Sequence, residues 1–145
     1  MRLVVVAVGR VKDRALRAAL DDYLGRLRRY GPVDEIELAD APMAKLEPAF
    51  AKATVGATVI ALEVGGRMLP SEAFAQGVER AASRGKGIVA FLIGGADGLP
   101  PAISKAAFDR WSLSTLTFPH RLARLILVEQ LYRSMTILRN EPYAH

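Results

Sequence analysis

The sequence predicts an α/β fold: one domain, residues 1–145, with a mostly parallel five-stranded sheet and helices on both faces. Three observations carry this. Short β-branched or apolar runs alternate with segments of helical periodicity along the whole chain. The first run, Leu3–Gly9 (LVVVAVG), is short and apolar without alternation, as a strand covered on both faces is. The chain shows no repeat, low-complexity segment or linker, and its 145 residues are enough for a sizeable core.

The elements follow in order. After Leu3–Gly9, the segment Lys12–Tyr30 repeats leucine at positions 16, 20, 24 and 27, and Gly31-Pro32 stops it. Val33–Leu38 (VDEIEL) alternates like an edge or half-exposed strand. Ala41–Lys52 is a weaker helix. Thr58–Val64 (TVIALEV) reads as a strand ended by Gly65-Gly66. Pro70-Ser71 opens a helix to about Ser83, with Ser71 as its N-cap. Gly87–Gly94 (GIVAFLIG) is the most apolar strand. Pro100-Pro101 opens a short helix to about Phe108. Trp111–Phe118 (WSLSTLTF) is the fifth strand, and a long helix runs from about His120 to Arg139. That last helix is apolar round much of its circumference. It is therefore expected to be buried on more than one side, within the domain and at a subunit interface.

Composition narrows the chemistry. There is no cysteine, which excludes disulfides, thiolate metal sites and cysteine nucleophiles. The net charge is +5, with 11 bases against 10 acids from Met1 to Glu72 and 9 against 5 thereafter. The excess permits a polyanionic partner such as nucleic acid. The start, MRLVVVAVGRVKDR, reads as a strand and not a signal peptide, and no apolar stretch reaches membrane-spanning length. A soluble cytoplasmic protein is expected.

In an open α/β sheet, ligands collect at the carboxyl ends of strands. That rule points to Gly65-Gly66, Gly94–Gly98 and Phe118-Pro119-His120. The stretch FLIGGADGLP is neither a dinucleotide fingerprint nor a Walker loop, and Asp97 would repel a phosphate. On its own it reads equally as a tight turn or as a backbone surface for a ligand.

LIGGADGL, SLSTLTFPHRLAR, EQLYRS, the ending NEPYAH and the opening LVVVAVGRVKD together resemble the RlmH-type ribosomal large-subunit pseudouridine N3-methyltransferases of the SPOUT superfamily. The likeness covers essentially the whole chain. It implies a C-terminal trefoil knot, S-adenosylmethionine (SAM) as methyl donor, no metal, and a homodimer. It implies 23S rRNA within the assembled ribosome as substrate, with methylation at N3 of a pseudouridine. The cofactor would sit among Leu62, Gly94-Gly95, and the run Leu113, Ser114, Thr115, Leu116, Thr117 and Phe118.

Removing the N3 proton needs a base or a group that readies the ring. The candidates are His120, His145, Asp97, Glu129 and Tyr143. Asp97 is expected to fix the turn or meet the methionine amino group. In the family the tail joins the active site and ends Tyr-His; here Tyr143 keeps its place and His145 is displaced by one. Tyr143 would stack on or hydrogen-bond the target base. Arg124, Arg133 and Arg139 would meet phosphate or the partner subunit. Two rival readings are a non-enzymatic ribosome- or RNA-binding module with a degenerate ligand pocket, and a flavodoxin-type nucleotide domain.

Overall fold

The computed structural model describes residues 1–143. Five strands, β1 (Arg2–Val8), β2 (Val33–Leu38), β3 (Thr58–Met68), β4 (Ile88–Ile93) and β5 (Asp109–Ser112), form one sheet in the order β2-β1-β4-β3-β5. Every pairing is parallel. The helices are α1 (Arg14–Leu27), α2 (Met43–Ala53), α3 (Ser71–Arg84), α4 (Pro101–Ala106) and α5 (His120–Leu138).

The strand period of two sorts side chains into two cores. Leu3, Val5 and Ala7 of β1 join Val89, Phe91 and Ile93 of β4 against α1, α3 and α5. Val4, Val6 and Val8 join Ala90 and Leu92 against α2 and α4. This explains why β1 and β4 are apolar without alternation: both faces are covered. Phe91 and Trp111 anchor the larger core, with Phe74 packed 4.9 Å from the Trp111 ring. Burying each such ring contributes about 1.5–3 kcal/mol.

Local chemistry sets several boundaries. Asp13 accepts a hydrogen bond from the Leu16 N–H at 2.8 Å, so α1 begins at Arg14 and not at Lys12. Ser71 is not an N-cap: Pro70 holds that position, and the Ser71 hydroxyl donates instead to Gln130 at 2.8 Å, tying α3 to α5.

Two strands depart from expectation. β3 runs past Gly65-Gly66 to Met68, because the chain bulges between Leu62 and Arg67 and both residues pair with Trp111. Gly66 permits this, since a Cβ there would lie 2.8 Å from the Trp111 nitrogen. β5 is correspondingly short, and residues 113–118 leave the sheet. The Ser112 hydroxyl donates to the Ser114 carbonyl at 2.8 Å, and Ser114 Oγ accepts from the Leu116 N–H at 2.9 Å. These serines close a loop and do not extend a strand.

Along α5, Leu127, Val128, Leu131 and Met135 are buried in the core, while Leu122 is exposed and Leu125 and Ile126 are half-buried. One side of the helix therefore stays open in the protomer.

Candidate active site

A cleft of about 510 Å3 opens at the carboxyl ends of β3, β4 and β5. That volume is ordinary for a small-molecule site. Three chain segments wall it: the β3 bulge, the glycine loop after β4, and the serine loop running into α5. Leu62, Gly94, Gly95, Leu113, Ser114, Leu116, Thr117 and Phe118 all line it, as does His120 from the first turn of α5. Thr115 is the exception; it is exposed outside the lining. Ala96 and Gly98 of the expected Gly94–Gly98 loop contribute as well, Gly65 and Gly66 do not, and Glu63, Val64, Leu99 and Ala123 join without having been expected. The bulge in β3 brings Glu63 and Val64 in, and no sequence pattern signals a bulge of that length.

The glycine loop folds against itself. Gly98, at φ +80°, donates its N–H to the Gly95 carbonyl at 3.0 Å. A Cβ on Gly94 would strike the Gly98 backbone and lie 2.6 Å from the Leu99 nitrogen. Gly94 is thus required first by the closure of the turn, which in turn shapes the cleft wall. Asp97 is exposed at the tip and does not line the cleft. The turn is fixed by the glycine backbone.

The wall chemistry is selective. Among the described residues the cleft is lined by one carboxylate, Glu63, one imidazole, His120, and no lysine or arginine. Such a lining suits a neutral or cationic ligand and offers no charged cradle for phosphate. Pro119 occupies the N-cap position of α5, and no side chain caps the helix. Backbone N–H groups of its first turn are left as donors at the cleft rim.

Arg124 departs from its expected role. It was placed at an RNA or subunit contact, yet it is wholly buried. It sits on α5 next to the cleft residue Ala123 and points into the protein. Its Nη1 donates to Glu35 at 2.9 Å and Glu37 at 2.5 Å, and its Nη2 to the Gly9 carbonyl at 3.0 Å. Arg17 of α1 shares Glu35 at 2.7 Å. Burial pushes the Glu37 carboxyl up, but hydrogen bonds from Arg124 and the Val11 N–H outweigh it and hold it below its ordinary value. The cluster pins the first turns of α5 to the ends of β1 and β2.

Arg133 and Arg139 lie toward the other end of α5, Arg133 roughly 20 Å along the axis from His120, and Tyr143 packs back at the level of Tyr132 and Arg133. Tyr143 packs edge-on against Tyr132 at 5.0 Å, with the Arg133 guanidinium 4.4 Å from its ring centre. Arg133 is held by Glu129 at 2.8 Å, and Arg139 lies over Tyr30 at 5.7 Å. Burial, followed by hydrogen bonding with Tyr23 and Glu129, drives the Tyr143 phenol well above its ordinary pKa. It keeps its proton at neutral pH. Tyr143, Arg133 and Arg139 do not line the cleft of their own protomer. His145 lies outside the described residues.

Comparisons with known proteins agree with this architecture. A family described as predicted SPOUT methyltransferase matches residues 1–145. A protein of Sorangium cellulosum (strain So ce56), named ribosomal RNA large subunit methyltransferase H, is 73% identical over 100% of both chains. A protein of the same name from Anaeromyxobacter dehalogenans (strain 2CP-C) is 46% identical over 99% of each. Among solved structures, one described as a probable methylase family protein from Haemophilus influenzae Rd KW20 superposes with a TM-score of 0.59. It is 12% identical, covering 99% of this chain and 70% of that one, and so speaks to fold alone. With its parallel sheet, its cleft of three loops and its full-length match to that family, this chain belongs to the SPOUT methyltransferases.

Proposed function

We propose that the protein methylates N3 of a pseudouridine in 23S rRNA on the assembled ribosome, acting in the cytoplasm as a homodimer with SAM bound in the cleft. The observation that carries the reading is the cleft itself: three main-chain segments, largely apolar, with one carboxylate and no basic side chain. SAM supplies a methyl group on a sulfonium cation and leaves as a neutral thioether. That charge fits walls holding Glu63 and no lysine or arginine.

The protein's task is mainly placement of the two reacting groups. The glycine turn and the serine loop fix the cleft walls, and the buried Arg124 cluster fixes the helix that follows. His120 is the imidazole in the cleft and the candidate to receive or relay the N3 proton. Tyr143, protonated at neutral pH, is suited to donate a hydrogen bond to the base or stack on it, and not to act as the proton acceptor.

Tyr143 and Arg133 lie roughly 20 Å along α5 from His120 and outside the cleft lining, which favours their serving the cleft of a second copy. The open side of α5, with Leu122, Leu125 and Ile126, suits that association. The threading of the C-terminal segment into a knot belongs to the same proposal.

The test is methyl transfer from labelled SAM to ribosomes purified from cells lacking the corresponding gene. Mass spectrometry of the 23S rRNA is expected to show one new methyl on N3 of a pseudouridine. Transfer of no methyl, together with no SAM binding by calorimetry, would favour the non-enzymatic RNA-binding reading.

A further inference from the structure

We infer that the end of the sheet opposite the cleft carries a second RNA-contact surface, built from Arg80, Arg84, Lys86, Lys105 and Arg110 around Phe108. The identity of the polyanion rests on the rRNA reading above; the existence of the surface rests on the following geometry.

These residues come together at the amino ends of β3 and β5. Phe108 donates its N–H to the Val59 carbonyl at 2.9 Å, which fixes it beside the start of β3. Its ring is 44% exposed, and the Arg84 guanidinium lies 4.4 Å from the ring centre. Arg80 is one turn earlier on the same face of α3, at the margin of this surface, with its guanidinium reaching back beside Gly77. Gly85, between Arg84 and Lys86, sits against Thr58 at the start of β3: a Cβ there would be 3.4 Å from the threonine hydroxyl. Arg110 donates to the main-chain carbonyl of Lys105 at 2.9 Å, which ties the end of α4 to the start of β5. From Thr58 to Leu62 the strand separates this surface from the cleft by roughly 13 Å.

The charge there is uncompensated. Between Ala73 and Arg110 the chain has five bases and three acids. Of the acids, Asp97 is in the glycine loop at the cleft end, and Asp109 is engaged by Arg67 and the Trp111 indole. Within that segment only Glu79 is left uncommitted, and none of the five cations forms a salt bridge among the described residues. Two of the three arginines of α1 differ, since Arg17 and Arg26 are engaged by Asp21, Asp22 and Glu35. Clustered free cations repel one another and gain when a polyanion covers them. An arginine stacked on an exposed aromatic ring leaves its N–H edge for phosphate, and such platforms recur in single-stranded RNA binding.

The test uses the full chain with Arg84→Ala, Lys86→Ala and Lys105→Ala combined, none of which lines the cleft. Binding of a fluorescein-labelled RNA hairpin is followed by anisotropy across a salt series. Affinity at about 0.1 M salt is expected to fall about tenfold or more, and the slope of log affinity against log salt to become shallower by about 2. SAM affinity and thermal midpoint should stay as in the parent. Should the triple variant fold poorly, Lys86→Glu alone, on an exposed turn, must move affinity the same way by a smaller factor. Unchanged affinity and slope would overturn the inference. So would a loss of ribosome methylation with RNA binding intact, which would assign the surface to a ribosomal protein. If the parent binds RNA through these residues yet methylates no rRNA, the functional reading fails and the surface stands.

Discussion

Arg124 of α5 lies 2.5 Å from Glu37 of β2, and the pair joins the helix that leaves the cleft to the edge of the sheet. The guanidinium is fully buried, and its remaining contacts are Glu35 and the Gly9 carbonyl. Removing one partner of a buried pair strands the others without solvent.

Arg124→Met is therefore expected to lower stability by about 3 kcal/mol, the lower end of the range because Arg17 still faces both glutamates. Urea midpoints would read it. Arg124→Lys retains charge but loses the two-pronged donor. It should recover part of that stability while SAM affinity stays reduced, since a single ammonium cannot hold the glutamates and Gly9 together. Equal stability of Met and parent proteins would refute the role.

That β1 and β4 are covered on both faces was legible because Leu3–Val8 and Ile88–Ile93 are apolar without alternation. The cleft residues of the glycine and serine loops were legible through motif resemblance. Arg124 was not: a charge on an apolar helix reads as its solvent or ligand-facing exception, and its two acidic partners lie 87 and 89 residues away. The β3 bulge was also hidden, because Gly65-Gly66 signals a chain end as readily as a close crossing. The serines in WSLSTLTF satisfy strand propensity on paper but bond locally to backbone, which curls the segment out of the sheet.

The glycines in the cleft wall should differ in their tolerance. Gly94→Ala places a methyl group against the Gly98 and Leu99 backbone, which cannot move aside as a flexible side chain could. It is expected to open the turn and abolish SAM binding by calorimetry. Gly98→Ala meets nothing within 4 Å and costs only the left-handed backbone conformation, about 1–2 kcal/mol. It should bind SAM within a few-fold of the parent. The reverse order would show that the loop is shaped by something other than its own closure.

Acid should weaken the β3–β5 clasp. Hydrogen bonding from Arg67, against an opposing effect of burial, holds Asp109 down to about 2, below the 3.8 of a free carboxyl. A carboxyl depressed in this way stabilises the fold above its unfolded value and loses that contribution as pH falls through the folded one. The window runs from about pH 4 to about pH 2, and Glu37 adds a loss of the same sign. Arg67→Ala should flatten the stability profile across that window, read by thermal unfolding at a series of pH values. A profile unchanged by Arg67→Ala would remove the clasp from the account.

The sharpest prediction concerns the tail. If Tyr143 serves the cleft of a second copy, two inactive variants must complement each other. Ala123→Phe blocks the cleft with a bulky ring on the first turns of α5, and Tyr143→Phe removes the phenol hydroxyl. Each homodimer should transfer methyl groups at well under a tenth of the parent rate, given the usual contribution of a positioned hydrogen-bonding group. After subunit exchange, half of the dimers are mixed. Each mixed dimer holds one site with an intact cleft and an intact tail, so activity should return to about a quarter of the parent. A mixture that stays silent would mean that cleft and tail act within one protomer, and would overturn the assignment of Tyr143 to the cleft of a second copy.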